Sequence, residues 1–128
     1  MRYLALDVGD RTIGLAVGEE TFGLARPLST LRRRGVAADL ERLRGIVAKE
    51  DIGALVIGLP LTLRGETGHQ ASRVRTFAES ARALALPIEL VDERFTTAEA
   101  ARRGADDLDA GAAVVLLEDF FSEKQRRR

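Results

Sequence analysis

Three carboxylates stand out because each occupies a position where a charged side chain needs a reason. Asp7 lies inside the apolar run Tyr3–Gly9 (YLALDVG), where an unpartnered carboxylate costs several kcal/mol or has its pKa pushed upward. Glu93 follows Asp92 in Val91-Asp92-Glu93-Arg94, at the carboxyl end of a short apolar segment, the edge of an open sheet where ligand crevices form. Asp109 precedes Ala112, Ala113, Leu116 and Phe120 at helical spacing, so its side chain shares the face that packs inward. Each has a local alternative. Asp7 can bond the turn after its strand, Glu93 can pair with Arg94 in a solvated loop, and Asp109 can serve as a helix N-cap. Taken together, the three can converge at one end of a sheet. Clustered carboxylates stay ionised only around a cation, and hard oxygen donors without His or Cys select Mg²⁺ or Mn²⁺. Two such ions about 4 Å apart align a water and stabilise both oxygens of a phosphodiester displacement. The chemistry expected is metal-dependent hydrolysis of a phosphodiester.

The elements that must position these groups follow from periodicity. Tyr3–Gly9 reads as a buried strand, followed after short polar turns by Ile13–Gly18 and Phe22–Leu31, an antiparallel meander. Pro27 in the third strand places it on an edge or stops it early. Val36, Leu40, Leu43 and Val47 then recur at helical spacing, and Ala54–Leu59 is apolar on both faces, as a covered parallel strand is. Ala71, Val74, Phe77, Ala81 and Leu84 mark a second helix, and Pro87 opens a strand over Ile88–Val91. Thr96 and Glu99 form a capping box for a short helix that Gly104 ends, and Asp109 to Phe121 is the last helix. This is an α/β chain, a mixed five-stranded sheet in the order β-β-β-α-β-α-β-α-α with helices on both faces. One domain over residues 1–128 is expected, with a flexible tail over 124–128.

Composition narrows the partners. The 128 residues balance 20 acidic against 20 basic side chains and contain no cysteine and one histidine, His69. Disulfides, thiolate zinc sites and thiol nucleophiles are thereby excluded, which fits a reducing compartment. No apolar run approaches the roughly 18 residues of a membrane span, and the N-terminus lacks the pattern of a signal peptide; a cytoplasmic protein is expected. Lys49 and Lys124 are the only lysines, so nearly all cations are arginine, the better bidentate phosphate ligand.

Four blocks carry a family resemblance: Leu6-Asp7-Val8-Gly9 with Ile13-Gly14-Leu15-Ala16-Val17; Gly58-Leu59-Pro60-Leu61 through Gly65; Asp92-Glu93-Arg94-Phe95-Thr96-Thr97; and Asp109 with Ala112-Ala113. In this order and over nearly the whole chain, the sequence resembles the YqgF (RuvX) family of ribonuclease H-like proteins, described as Holliday junction resolvases and as nucleases maturing the small-subunit ribosomal RNA precursor. The resemblance implies a ribonuclease H-like fold and puts the family's acidic residues on Asp7, Glu93 and Asp109. It makes processing of the 5′ end of precursor 16S rRNA in ribosome biogenesis the first expectation and junction resolution in DNA recombination the second. Two departures stand out. Thr12 occupies a position where members usually carry a second basic residue, and the segment before Asp109 is shorter than usual.

Around the carboxylates, Arg11, Arg64, Arg73, Arg94 and Thr96 are the candidate substrate contacts. The Leu59–Gly68 loop offers glycines for close approach and a following helix N-terminus with free N–H groups for phosphate. Arg75 is a further candidate, although arginines on helix faces are commonly just solvated. Arg32-Arg33-Arg34 and Arg126-Arg127-Arg128 are local basic clusters in a neutral chain. Two other classes compete. Asp7-Val8-Gly9 followed by Gly14 resembles the first phosphate motif of actin-like ATPases, which need a second such domain. A non-catalytic nucleic-acid or ribosome-assembly module gains nothing from clustered acids facing phosphate. The partner expected is structured RNA or branched DNA, bound by a monomer or homodimer.

Overall fold

The computed structural model describes residues 1–59, 68–92 and 109–127. They form β1 (Arg2–Val8), β2 (Thr12–Glu19), β3 (Leu24–Arg32), α1 (Val36–Lys49), β4 (Ala54–Leu59), α2 (His69–Ala81) with a 3₁₀ turn over Arg82–Leu84, β5 (Ile88–Asp92) and α3 (Asp109–Arg126). The five strands lie in the order β3-β2-β1-β4-β5. β1, β2 and β3 pair antiparallel, whereas β1–β4 and β4–β5 are parallel. The meander and the two crossover units are those expected. The capping-box helix over Thr96–Gly104 lies outside the described residues.

Strand alternation sorts the core into two layers. Leu4, Leu6, Ile13, Leu15, Leu55 and Ile57 point to one face, under α1 and α2, where Leu43, Val74 and Phe77 meet them. Tyr3, Ala5, Ala16, Ala54 and Val56 point to the other, under Ala113, Leu116, Leu117 and Phe121 of α3. The α3 face of β2 reads Gly14-x-Ala16-x-Gly18, a track of small residues that lets the helix lie close. At Gly18 the approach is complete: a Cβ would stand 2.7 Å from the Leu24 carbonyl oxygen and 2.9 Å from Phe121 Cε2.

β3 is an outer strand, as Pro27 required. Its register slips beside the proline, where Leu15 pairs with Ser29 but Ala16 with Pro27. The inserted Leu28 forms a bulge. In a regular strand Leu28 and Leu31, three apart, point to opposite faces; the bulge lets both pack on the α1–α2 layer.

Two of the boundaries that differ from expectation have a visible physical cause. β3 starts at Leu24 instead of Phe22, because Gly23 at φ +67° closes the hairpin by donating its N–H to the Glu19 and Glu20 carbonyls. Phe22 is left 73% exposed on the turn. The last helix, expected to end at Phe121, continues to Arg126. Lys124 pairs with Glu20 at 2.6 Å and donates to Tyr3 Oη at 2.8 Å. These polar contacts continue α3 beyond its apolar stripe, which is why hydrophobic periodicity ended it too soon. No helix among the described residues is long and apolar enough to cross a membrane.

Candidate active site

Asp7 is the penultimate residue of β1, and its residue is 6% exposed. By alternation it follows Tyr3 and Ala5 onto the α3 face, while Leu6 and Val8 take the other. Both neighbouring strands offer glycine here. Gly14 pairs with Asp7 on β2, and Gly58 follows Ile57, the partner of Leu6 on β4. The carboxylate therefore sits in the central strand with no flanking Cβ on either side, at the carboxyl end of the parallel strands.

The helix on that face is oriented toward it. Near its C-terminal end, α3 touches Tyr3 through Phe121, with ring centroids 5.6 Å apart, and Glu118 accepts the Ala25 N–H at 3.2 Å. Both contacts lie at the end of the sheet opposite Asp7, so α3 runs antiparallel to β1. Twelve residues of helix from Phe121 back to Asp109 cover roughly 18 Å; four of strand from Tyr3 to Asp7 cover roughly 13 Å. The start of α3 at Asp109 thus lies toward the Asp7 end, and the small Ala112 and Ala113, both buried, allow close approach. Asp92 ends β5 opposite Leu59 at this same sheet end. Glu93, Arg94, Thr96 and Arg64 lie outside the described residues. Among those described, no three acidic or histidine side chains form a metal-binding group.

The turn after Asp7 is tied down residue by residue. The Gly9 N–H donates to the Thr12 carbonyl at 2.8 Å, and the Gly9 carbonyl accepts from Arg33 Nη1 at 3.1 Å. Asp10 Oδ1 accepts from Arg73 Nη1 at 2.8 Å, and the Arg11 carbonyl accepts the Arg33 N–H at 2.8 Å. Arg73, expected to meet substrate, is thus paired with Asp10 across the α2–turn gap. The Arg11 side chain is exposed beside them.

Sequence reasoning missed the group that anchors this arrangement. Asp39 is wholly buried in the first turn of α1. Its carboxylate accepts from Arg33 Nε at 3.2 Å, Arg42 Nη2 at 2.8 Å and the Arg34 N–H at 2.9 Å. Burial alone raises its pKa, but the Arg34 N–H, Arg42 and Arg33 together outweigh burial and hold it below the ordinary carboxylate value. The signal was present: Asp39 stands three residues after Val36 and four before Leu43, on the apolar face of its helix.

A buried carboxylate at the carboxyl end of a central strand, beneath a helix that starts with an aspartate, on a mixed β3-β2-β1-β4-β5 sheet, defines the ribonuclease H-like α/β class. Solved structures agree on the fold. Thermus thermophilus RuvC in complex with a Holliday junction substrate superposes with a TM-score of 0.63 at 14% identity, covering 98% of this chain and 96% of that one. The fowlpox virus Holliday junction resolvase superposes with a TM-score of 0.55 at 10% identity, covering 97% and 99%.

The chain belongs to the RuvX family, whose model, described as Holliday junction resolvase, matches residues 1–123. Among curated relatives, a protein of Anaeromyxobacter sp. is 42% identical over 94% of this chain and 96% of its own length. One from Moorella thermoacetica is 40% identical over 100% and 84%. One from Thermoanaerobacter pseudethanolicus is 33% identical over 99% and 100%. All three carry the name "Putative pre-16S rRNA nuclease".

Proposed function

We propose that this chain is a divalent-metal-dependent nuclease, a single domain acting in the cytoplasm on structured nucleic acid, with the 5′ end of precursor 16S rRNA as its substrate. The observation that carries this reading is Asp7, a buried carboxylate held on the α3 face of β1 toward the start of the helix that begins with Asp109. The donor chemistry fits a hard cation: Asp7, Asp109 and Glu93, which directly follows the last residue of β5, are all-oxygen ligands. Mg²⁺ or Mn²⁺ held there supplies charge stabilisation and a nucleophilic water at neutral pH. The protein's own contribution is placement. The tethered Gly9–Arg11 turn fixes the end of β1, glycines on both sides leave room above Asp7, and Arg11, Arg64, Arg94 and Thr96 are the groups assigned to the substrate backbone.

The substrate assignment rests on the names of the curated relatives. The description of the family model favours a second reading, cleavage of a four-way DNA junction. Such an enzyme cuts two strands symmetrically and works as a two-fold dimer, whereas an RNA end-processing nuclease can act as a monomer. The test compares a labelled precursor 16S rRNA fragment with a four-way junction, in Mg²⁺ and in Mn²⁺, using wild type and Asp7→Asn. Cleavage of the RNA by wild type and its loss in a folded Asp7→Asn is the expected result. Wild-type rates in a folded Asp7→Asn overturn the site, and cutting of the junction alone overturns the RNA assignment.

A further inference from the structure

The three consecutive arginines at the end of β3 have different fates. Arg33 turns inward: besides its bonds to Asp39 and Gly9, its guanidinium lies 5.3 Å from the Phe77 ring centroid. Arg32, which pairs across the sheet with Thr12, and Arg34, which gives only its backbone N–H to Asp39, have exposed side chains. These two flank the turn after Asp7 on its β3 side, next to the exposed Arg11.

Ion pairing sets this group apart. Of the thirteen described arginines, nine form salt bridges: Arg2, Arg26, Arg33, Arg42, Arg44, Arg73, Arg82, Arg126 and Arg127. Arg11, Arg32, Arg34 and Arg75 form none among the described residues, and three of these four gather at the Asp7 end of the sheet. The acids closest to them in the chain are already committed, Asp39 to Arg33 and Arg42, and Asp10 to Arg73. Ordinary surface solvation accounts for a lone arginine. It does not account for neutralising the inner member of a triplet while leaving the outer two and a neighbouring turn arginine unpaired, where they repel one another. Guanidinium forks left in this state match the geometry of phosphate oxygens.

We propose that Arg11, Arg32 and Arg34 form a phosphate-binding ridge that takes the nucleic-acid backbone flanking the cleavage position, on the β3 side of Asp7. The ridge rests on the nucleic-acid reading above but not on catalysis. β3 lies two strand spacings from β1, roughly 10 Å, so the ridge sits beside the reacting phosphate and sets the direction in which substrate leaves the site. Arg32 and Arg34 are additions to the contacts expected from sequence.

The test measures binding in the Asp7→Asn background, with a stem-containing RNA and a four-way DNA junction as probes, across a series of salt concentrations. The variant is Arg32→Gln/Arg34→Gln; the charge-matched control is Arg44→Gln/Lys49→Gln on α1. Loss of two phosphate contacts weakens binding about tenfold near physiological salt. It also flattens the log–log salt slope by roughly 1.4 to 1.8, with the control unchanged. A loss confined to one probe supports the ridge and identifies its nucleic acid. Equal affinities and slopes in variant and control overturn it, as does a parent that binds neither probe. A wild-type protein that binds but cuts neither probe refutes the nuclease reading and leaves the ridge standing.

Discussion

Arg33 donates a hydrogen bond from Nη1 to the carbonyl of Gly9 at 3.1 Å, two residues beyond Asp7. The same guanidinium holds buried Asp39 through Nε. The end of β1 is thus connected, through one side chain, to the first turn of α1. A buried ion pair of this kind is costly to assemble and costlier to break.

Arg33→Met leaves Asp39 without one of its two arginines and Gly9 without its donor. The expected loss is about 3–5 kcal/mol, read as a lowered midpoint in denaturant unfolding. Arg33→Lys should recover only part of it, since an ammonium cannot bond Asp39 and Gly9 with the same planar fork. Full stability in Arg33→Met would show that the pair contributes nothing net.

Acid should weaken the fold through Asp39. Its folded pKa lies below the ordinary aspartate value of about 3.8, so the folded state favours the carboxylate and the unfolded state binds the proton first. The stabilisation is present above about 3.8 and is lost as pH falls through the folded value. Asp39→Asn should be less stable at neutral pH and show a shallower decline below pH 4. Parallel stability–pH curves for the two proteins would contradict this.

The Gly18 contact predicts intolerance of any side chain. Gly18→Val forces a Cβ against the Leu24 carbonyl and the Phe121 ring, and overpacking of this type costs about 1–3 kcal/mol or more. Thermal unfolding should show it, together with weakened near-ultraviolet signal from Tyr3, Phe120 and Phe121, which pack on one another at 5.3 to 6.0 Å.

The Arg73–Asp10 pair should behave differently. Both side chains are more than half exposed, at 60% and 63%, and exposed pairs contribute little to stability. Asp10→Asn is expected to unfold at the wild-type midpoint. Its effect should appear as a raised KM in cleavage, through a looser turn beside Arg11. An unchanged KM would assign the pair no part in the site.

Much of this arrangement was legible in periodicity. Alternating and continuous apolar runs located the strand that carries Asp7 and, to within a residue, the one that ends at Asp92, and the helical stripe through Ala112, Ala113 and Leu116 located the inward face of the last helix. Pro27 marked its strand as outer. What periodicity could not show is polar pairing at a distance. Arg33 and Arg34 are identical in type and adjacent, yet one guanidinium is turned inward and the other outward, because the register of β3 and the position of Asp39 decide between them. The end of α3 was misjudged for a similar reason: Lys124 is held by Glu20 and Tyr3, more than a hundred residues away in the chain.

Pro27 and the bulge at Leu28 have one further effect. A sheet is extended by another chain only along an uninterrupted row of N–H and C=O groups, and β3 interrupts that row with a residue that has no N–H and a kink beside it. The sheet is therefore closed to strand addition on the side nearest Arg32 and Arg34. A second copy recruited for symmetric cutting would find no continuous strand edge to pair with along β3. The flank of Asp7 that carries the arginines without ion pairs among the described residues is then closed to strand pairing and open along its length to a polyanion.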